Sequence, residues 1–254
     1  MARLKARAFA LVCVVALLGG CQTRSISDSG YRDDSGWGYG ARSSNPYYRG
    51  ELSEFDILGI GRDQAVSEDI IRAAYTEKKP LAVKKGDAIM LIQSGALLPD
   101  EGMVNSFSKY YSVAVFSGIP DQPPVRTAAG VTGPAQSYFQ SLRLAAARGG
   151  YDKIVAYWGV VESAREGMAT KAVSWVPILG AAVPDEHQRM RIRLKVAVID
   201  VRTGQWEMFV PETFDDTATS ASANRAMSDQ AQVAALKEKV YAGAAESFVA
   251  RYAR

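Results

Sequence analysis

Residues 188–200 read QRMRIRLKVAVID. Met190, Ile192, Leu194, Val196 and Val198 alternate with Arg189, Arg191, Arg193 and Lys195. Strict period two over such a run predicts a strand with one apolar and one basic face. The following segment, 205–210 (QWEMFV), reads as a second strand joined by a tight turn. A three-residue loop Arg202-Thr203-Gly204 sets Val198 opposite Met208 and Val196 opposite Val210, with Gly204 where positive φ is wanted. A two-residue loop Thr203-Gly204 instead opposes Asp200 and Glu207, and like charges facing across a ladder disfavour it.

On the carboxyl side, residues 211–227 are polar and rich in Ala, Ser and Thr, which reads as a loop. Ser228 then caps a last helix, in which Leu236, Val240, Ala244, Phe248 and Tyr252 recur every fourth residue and predict one face docked on the sheet. On the amino side, residues 153–162 (KIVAYWGVVE) and 87–93 (DAIMLIQ) are short, nearly continuous apolar runs suited to strands covered on both faces. Residues 112–116 form another strand. Pro99, with Asp100 and Glu101 beside it, opens a helix to about Lys109. Pro134 opens one carrying Tyr138, Phe139, Leu142, Ala145 and Ala146 on one side, stopped by Gly149-Gly150. Ser67, followed by Glu68 and Asp69, starts a helix that Pro80 closes. The order β-α-β-α-β-β-α predicts a single α/β domain over 51–254 with a mixed sheet in two or three layers.

The chain has 254 residues, 48% hydrophobic and 22% charged, with two cysteines and one histidine. These proportions exclude a disordered chain, a collagen-like repeat, a disulfide framework and a multi-span membrane protein. Residues 1–20 have the layout of a signal peptide: Arg3, Lys5 and Arg7, then an apolar run over 8–18. As a helix that run spans roughly 16 Å, against a hydrocarbon core of about 30 Å, so it is not the anchor of the mature protein. Its removal takes three basic residues and leaves 27 Lys and Arg against 27 Asp and Glu. The mature chain is neutral, which gives no reason to expect a nucleic-acid partner.

Leu18-Gly19-Gly20-Cys21 resembles the lipobox of bacterial lipoproteins. The resemblance implies that Cys21 becomes the acylated first residue and ties the protein, through its acyl chains, to a membrane it does not span. The alternative is a plain cleaved signal followed by a chance cysteine. By the enterobacterial sorting rule, Gln22 in place of Asp implies the outer membrane, with the body facing the periplasm. Residues 21–50 then form the lipidated cysteine and a flexible tether, rich in Ser, Gly, Asp, Arg and Tyr, whose reach as a coil is roughly 30 Å. Its tyrosines and Trp37 admit a second view, a segment that orders on a partner.

Candidate sites are few. With His187 the sole histidine and no thiol left over, the usual zinc sites cannot be assembled. No Gly-x-Ser-x-Gly elbow accompanies His187, which reads as a surface residue. The carboxylate pairs Asp100/Glu101, Asp185/Glu186 and Asp215/Asp216 fit helix starts and polar turns. Gly59-Ile60-Gly61 lacks the third glycine of a dinucleotide fingerprint, so no cofactor is expected. The face carrying Arg189, Arg191, Arg193 and Lys195 is a candidate site for anionic polymers or lipid headgroups. Its bland reading is a solvated face or a charged edge strand, offset by acids such as Glu207. Residues 172–183 (AVSWVPILGAAV) are apolar, too short to span a membrane and broken by Pro177 and Gly180. They either cover the domain's own core or form an exposed contact for a partner or membrane surface, anchored by Trp175, Ile178 and Leu179.

The element order and the turn Asp200-Val201-Arg202-Thr203-Gly204 also resemble envelope lipoproteins with a domain like the amino-terminal domain of TolB. That architecture is shared by curli-secretion lipoproteins and by lipoprotein activators of penicillin-binding proteins. The resemblance implies a non-catalytic module that binds an envelope protein or itself. The contrasting expectation is an envelope hydrolase acting on peptide or peptidoglycan, which requires a pocket where polar groups converge.

Overall fold

The computed structural model describes residues 24–28, 47–60, 66–120, 138–165, 174–177, 188–218 and 225–253. Its strands are β1 (Arg24–Ser25), β2 (Ala88–Gln93), β3 (Ser112–Phe116), β4 (Lys153–Arg165), β5 (Ser174–Pro177), β6 (Gln188–Asp200), β7 (Trp206–Phe209) and β8 (Phe214–Ala218). Its helices are α1 (Glu54–Leu58), α2 (Glu68–Glu77), α3 (Glu101–Ser108), α4 (Tyr138–Arg148) and α5 (Arg225–Tyr252). All eight strands join one mixed sheet with the main order β3-β2-β4-β6-β7. β2 runs parallel to β3 and β4, and β6 is antiparallel to β4 along its whole length. The expected alternation is present as β2-α3-β3-α4-β4, but the structure then has more strands before α5 than the expected order β-α-β-α-β-β-α allows: β5, β6, β7 and β8 follow β4.

Helices cover both faces, which makes three layers. On one side, Met103 and Phe107 of α3 and Leu236, Val240, Ala244 and Phe248 of α5 pack on Ile89, Leu91, Val155, Ile192 and Val196. On the other, Leu142 and Ala146 of α4 and Ile57 and Leu58 of α1 pack on Met90, Ile92, Ile154, Ala197 and Ile199. β2 and β4 are therefore buried on both faces, as continuous apolar runs in parallel strands demand.

The hairpin after β6 departs from the expected register. Val196 faces Phe209, Ala197 faces Met208 and Val198 faces Glu207, closed by Asp200 N–H donating to the Gln205 carbonyl. The loop has four residues, 201–204. Asp200 Oδ1 accepts from Thr203 N (2.8 Å) and Thr203 Oγ1 (3.0 Å), so the side chain of the last strand residue builds the turn and adds one position. Gly204 does adopt a left-handed φ of 76°. The register places Phe209 on the larger core against Tyr252.

Three further differences trace to the sheet. The polar stretch after β7 contains β8, which pairs with the first half of β6, Phe214 opposite Ile192. The last helix begins at Arg225, so Ser228 lies within it and is not its cap. β6 is an interior strand, flanked by β4 on one edge and by β7 and β8 on the other, so its charges do not guard an edge.

The amino-terminal segment is the largest departure. Residues 24–28 do not belong to a tether. β1 pairs antiparallel with β4, and Ile26 is 1% exposed. One edge of β4 thus carries three strands in succession: β2 opposite 153–157, β1 opposite 160–161 and β5 opposite 162–165. Gly159 makes room for the segment. A Cβ there would lie 2.6 Å from Ile26 Cδ1 and 2.7 Å from Leu194 Cδ2.

Candidate functional site

In an open α/β sheet, ligands bind beyond the carboxyl ends of the parallel strands. Here that position is occupied by a polar cluster at the end of β2. Gln93 is fully buried. Its Oε1 accepts from the Tyr157 hydroxyl and from Asp100 N (2.7 Å), and its Nε2 donates to Ser27 Oγ (3.0 Å). Ser27 Oγ donates to the Ser94 carbonyl (2.5 Å), and Ser94 Oγ accepts from Leu52 N (2.7 Å). Asp100, directly before α3, accepts at Oδ2 from Lys237 Nζ (2.8 Å) and from the Tyr241 hydroxyl. Lys237 also donates to the Ile26 carbonyl (2.9 Å).

Ile26 and Ser27 thus close the crevice from within the chain, and the cluster's members satisfy one another. Burial first, and then the negative charge of Asp100, push the Tyr157 hydroxyl well above its ordinary range. Burial likewise raises Tyr241, with Tyr157 and Asp100 adding to it. Both hydroxyls stay protonated across physiological pH and act as hydrogen-bond donors, not as bases or nucleophiles.

An open groove of about 460 Å³ lies on the other face, lined by Tyr48, Glu51, Trp158, Glu162, Arg193 and Lys195 among others. It holds much of the sequence-predicted basic face. Arg191 Nε donates to Glu162 Oε2 at 2.6 Å, directly across the β4–β6 ladder. Arg193 reaches the other oxygen of Glu162 at 3.3 Å. Lys195 pairs with Glu54 of α1 and lies 6.0 Å from the centre of the Trp158 ring. The acids that face these cations are Glu162 and Glu54. Glu207 instead accepts from the Tyr252 hydroxyl, which burial and this carboxylate push up to about 12. Tyr48, over the same groove, is also pushed up to about 12 by burial and by Glu51.

The remaining expectations fall as follows. Arg189 lies on β6 opposite Ala164, and Trp175 lies on β5 opposite the same residue across the other edge of β4. Cys21, Ile178, Leu179 and His187 lie outside the described residues, as does the signal peptide. Among the described residues, no group of His, Cys, Asp or Glu is arranged to hold a metal ion, and no helix is long and apolar enough to cross a membrane. Sequence reasoning missed the cluster around Gln93. Its one local signal was a polar residue ending an apolar strand.

Solved structures similar to this chain include a PelC dodecamer from Paraburkholderia phytofirmans, at 14% identity over 65% of this chain and 95% of that one, with a TM-score of 0.26. A putative neuraminyllactose-binding hemagglutinin homolog from Helicobacter pylori matches at 10% identity over 68% and 89%, also with a TM-score of 0.26. The hypothetical protein CT253 from Chlamydia trachomatis matches at 16% identity over 63% and 97%, with a TM-score of 0.25. No curated protein matches the chain. A family model described as YafT bacterial lipoprotein matches residues 53–251, nearly the whole folded body. It agrees with the lipobox and carries no TolB-like assignment, so the chain belongs to the YafT family of bacterial lipoproteins.

Proposed function

We propose that the protein is an outer-membrane lipoprotein, acylated on Cys21, whose periplasmic α/β body is a non-catalytic module that binds an envelope protein or assembles with itself. The observation that carries this reading is the closed crevice. Gln93, Asp100, Tyr157, Tyr241 and Lys237 converge where a substrate would sit, bond to one another, and close on the chain's own Ser27 hydroxyl and Ile26 carbonyl through Gln93 and Lys237. A hydrolase needs converging groups that can reach a substrate and exchange protons with it. In this cluster the hydroxyls are held protonated and face inward.

Two measurements test the proposal. Labelling with an alkyne analogue of palmitate is expected to mark the wild type in the outer-membrane fraction and to fail on Cys21→Ser. Photo-crosslinking in intact cells is expected to link the body to an envelope protein or to a second copy. Turnover of peptide or peptidoglycan by the purified protein, abolished by Asp100→Asn in a variant that still folds, would overturn the non-catalytic reading.

A further inference from the structure

Helix α2 carries an apolar face that the domain does not use. At about 100° per residue, Ile70, Ile71, Ala74, Tyr75 and Lys78 fall on one side of it, and Asp69, Arg72, Ala73 and Thr76 fall on the other. In a surface helix such an apolar side normally docks on the core. Here no residue of the helix is buried, and Ile70, Ile71 and Tyr75 stand about half-exposed or more. The polar side is complete in itself. Arg72 pairs with Asp69 at 3.2 Å, and Thr76 Oγ1 donates to the Arg72 carbonyl at 2.9 Å. The helix is nonetheless held on the body, because Gln205 donates to the Glu77 carbonyl at 2.6 Å and accepts from Lys79 N at 3.2 Å. A fixed amphipathic helix laid against an apolar counterpart is a recurrent mode of recognition.

The charges of α2 select the occupant. Glu68 and Asp69 stand in the first turn, and Lys78 and Lys79 follow the last. Neither Glu68 nor Lys78 has an ion-pair partner among the described residues. An antiparallel copy of the same helix supplies both partners. A two-fold axis level with Ala73 and Ala74 opposes Glu68 of each copy to Lys78 of the other and Ile71 to Tyr75, with the helix dipoles head to tail. A parallel copy sets acid against acid. An anionic bilayer surface matches poorly, since helices that lie on one carry Lys and Arg along the polar face, where α2 has Asp69 paired to its one arginine. We propose that α2 pairs antiparallel with α2 of a second copy of this chain. The inference rests on acylation and on the self-assembly reading of the function, and gives that reading a surface. A helix about 15 Å long covers less than the roughly 1,600 Å² of a stable interface, so the pairing is weak in dilute solution. Acyl chains that confine the copies to one leaflet raise their effective concentration.

The test uses the full acylated protein in cell membranes under mild oxidation. Ala74→Cys is expected to give a disulfide-linked dimer on a non-reducing gel. Ala73→Cys, one residue away on the other side of the helix, is expected to give none, and so is the wild type, whose Cys21 is blocked by acylation. Within the Ala74→Cys protein, Glu68→Lys and Lys78→Glu are each expected to lower the dimer about tenfold, because two ion pairs become repulsions. Co-expression of the two charge variants is expected to restore it, which a folding defect cannot do. No dimer at position 74, equal linkage at 73 and 74, or no restoration on mixing overturns the proposal. So does a thiol at 74 that forms no dimer yet is shielded from a water-soluble maleimide, which would assign the stripe to lipid or to another protein. A wild type that links through Cys21 removes the acylation on which the pairing rests. Amine-reactive crosslinking of the wild type separates the remaining failures. Oligomers without linkage at 74 remove α2 as the surface and leave self-assembly standing, whereas no oligomer removes both.

Discussion

Residues 24–28 and helix α2 make opposite use of their sequences. RSISD has no periodicity and a single large apolar side chain, yet Ile26 is 1% exposed and the segment is tied to β2, β4 and α5. α2 has acidic residues in its first turn and Ser67 accepting from Ile70 N at 3.4 Å, yet none of its residues is buried. Ile70, Ile71 and Tyr75 are 49%, 52% and 85% exposed. Its carboxyl end is held through Gln205, which donates to the Glu77 carbonyl at 2.6 Å and accepts from Lys79 N. Local signals set the conformation of a segment. For residues 24–28 burial comes from a place on the sheet, the edge of β4 beyond β2, whereas α2 is joined to no strand face.

The contrast is sharpest at Gln93. Replacing it with Leu leaves the Tyr157 hydroxyl, the Asp100 amide and Ser27 short of partners in a sealed site, at roughly 1–3 kcal/mol each. We expect a loss of about 4 kcal/mol in chemical denaturation, larger than for any of the variants that follow. A loss below about 1 kcal/mol would mean that residues 24–28 are only loosely docked. Gly159→Ala acts on the slot itself, because the new Cβ meets Ile26 and Leu194. A cost of about 2 kcal/mol is expected from overpacking, with faster hydrogen exchange at the Ile26 amide and unchanged exchange in α2.

Asp200 at the far turn gives a pH-dependent term. Burial opposes its ionisation, but the Thr203 amide and the Lys153 ammonium, 3.0 Å away, more than offset this and hold the carboxyl below its ordinary value of 3.8. A folded-state pKa below the unfolded one stabilises the fold above the unfolded value, and that contribution fades as pH falls through the folded one. Thermal melts are expected to show the wild type losing more stability on acidification than Asp200→Asn. Equal losses would remove the turn's role. At the small end, Ile71→Ser or Tyr75→Ser in α2 is expected to change stability by no more than about 0.5 kcal/mol. A larger loss would show that α2 is packed after all.

Much of the frame was legible in the chain, because the strands of the sheet centre are long or continuously apolar. Period two in β6 and the four-residue recurrence from Leu236 to Tyr252 mark elements whose cores lie where expected. The alternation in β6 misled in one respect. Val196 to Ile199 are buried on both faces, since α4 covers the far side there, while Arg191 to Lys195 extend past that cover. The hairpin register missed by one position because the Asp200 side chain, not the backbone pattern, sets the loop length. β1, β5 and β8 are two to five residues long and gain their structure from long-range pairing, which no local window contains. For the same reason the Gln93 cluster could not be assembled from the sequence: its members come from five separate stretches of chain.

The bond from Lys237 to the Ile26 carbonyl joins residues 211 positions apart. A chain is made amino end first, so Ile26 is in place long before Lys237. Pairing of residues 24–25 with β4 can precede it, but this last tie closes only when nearly the whole chain is present.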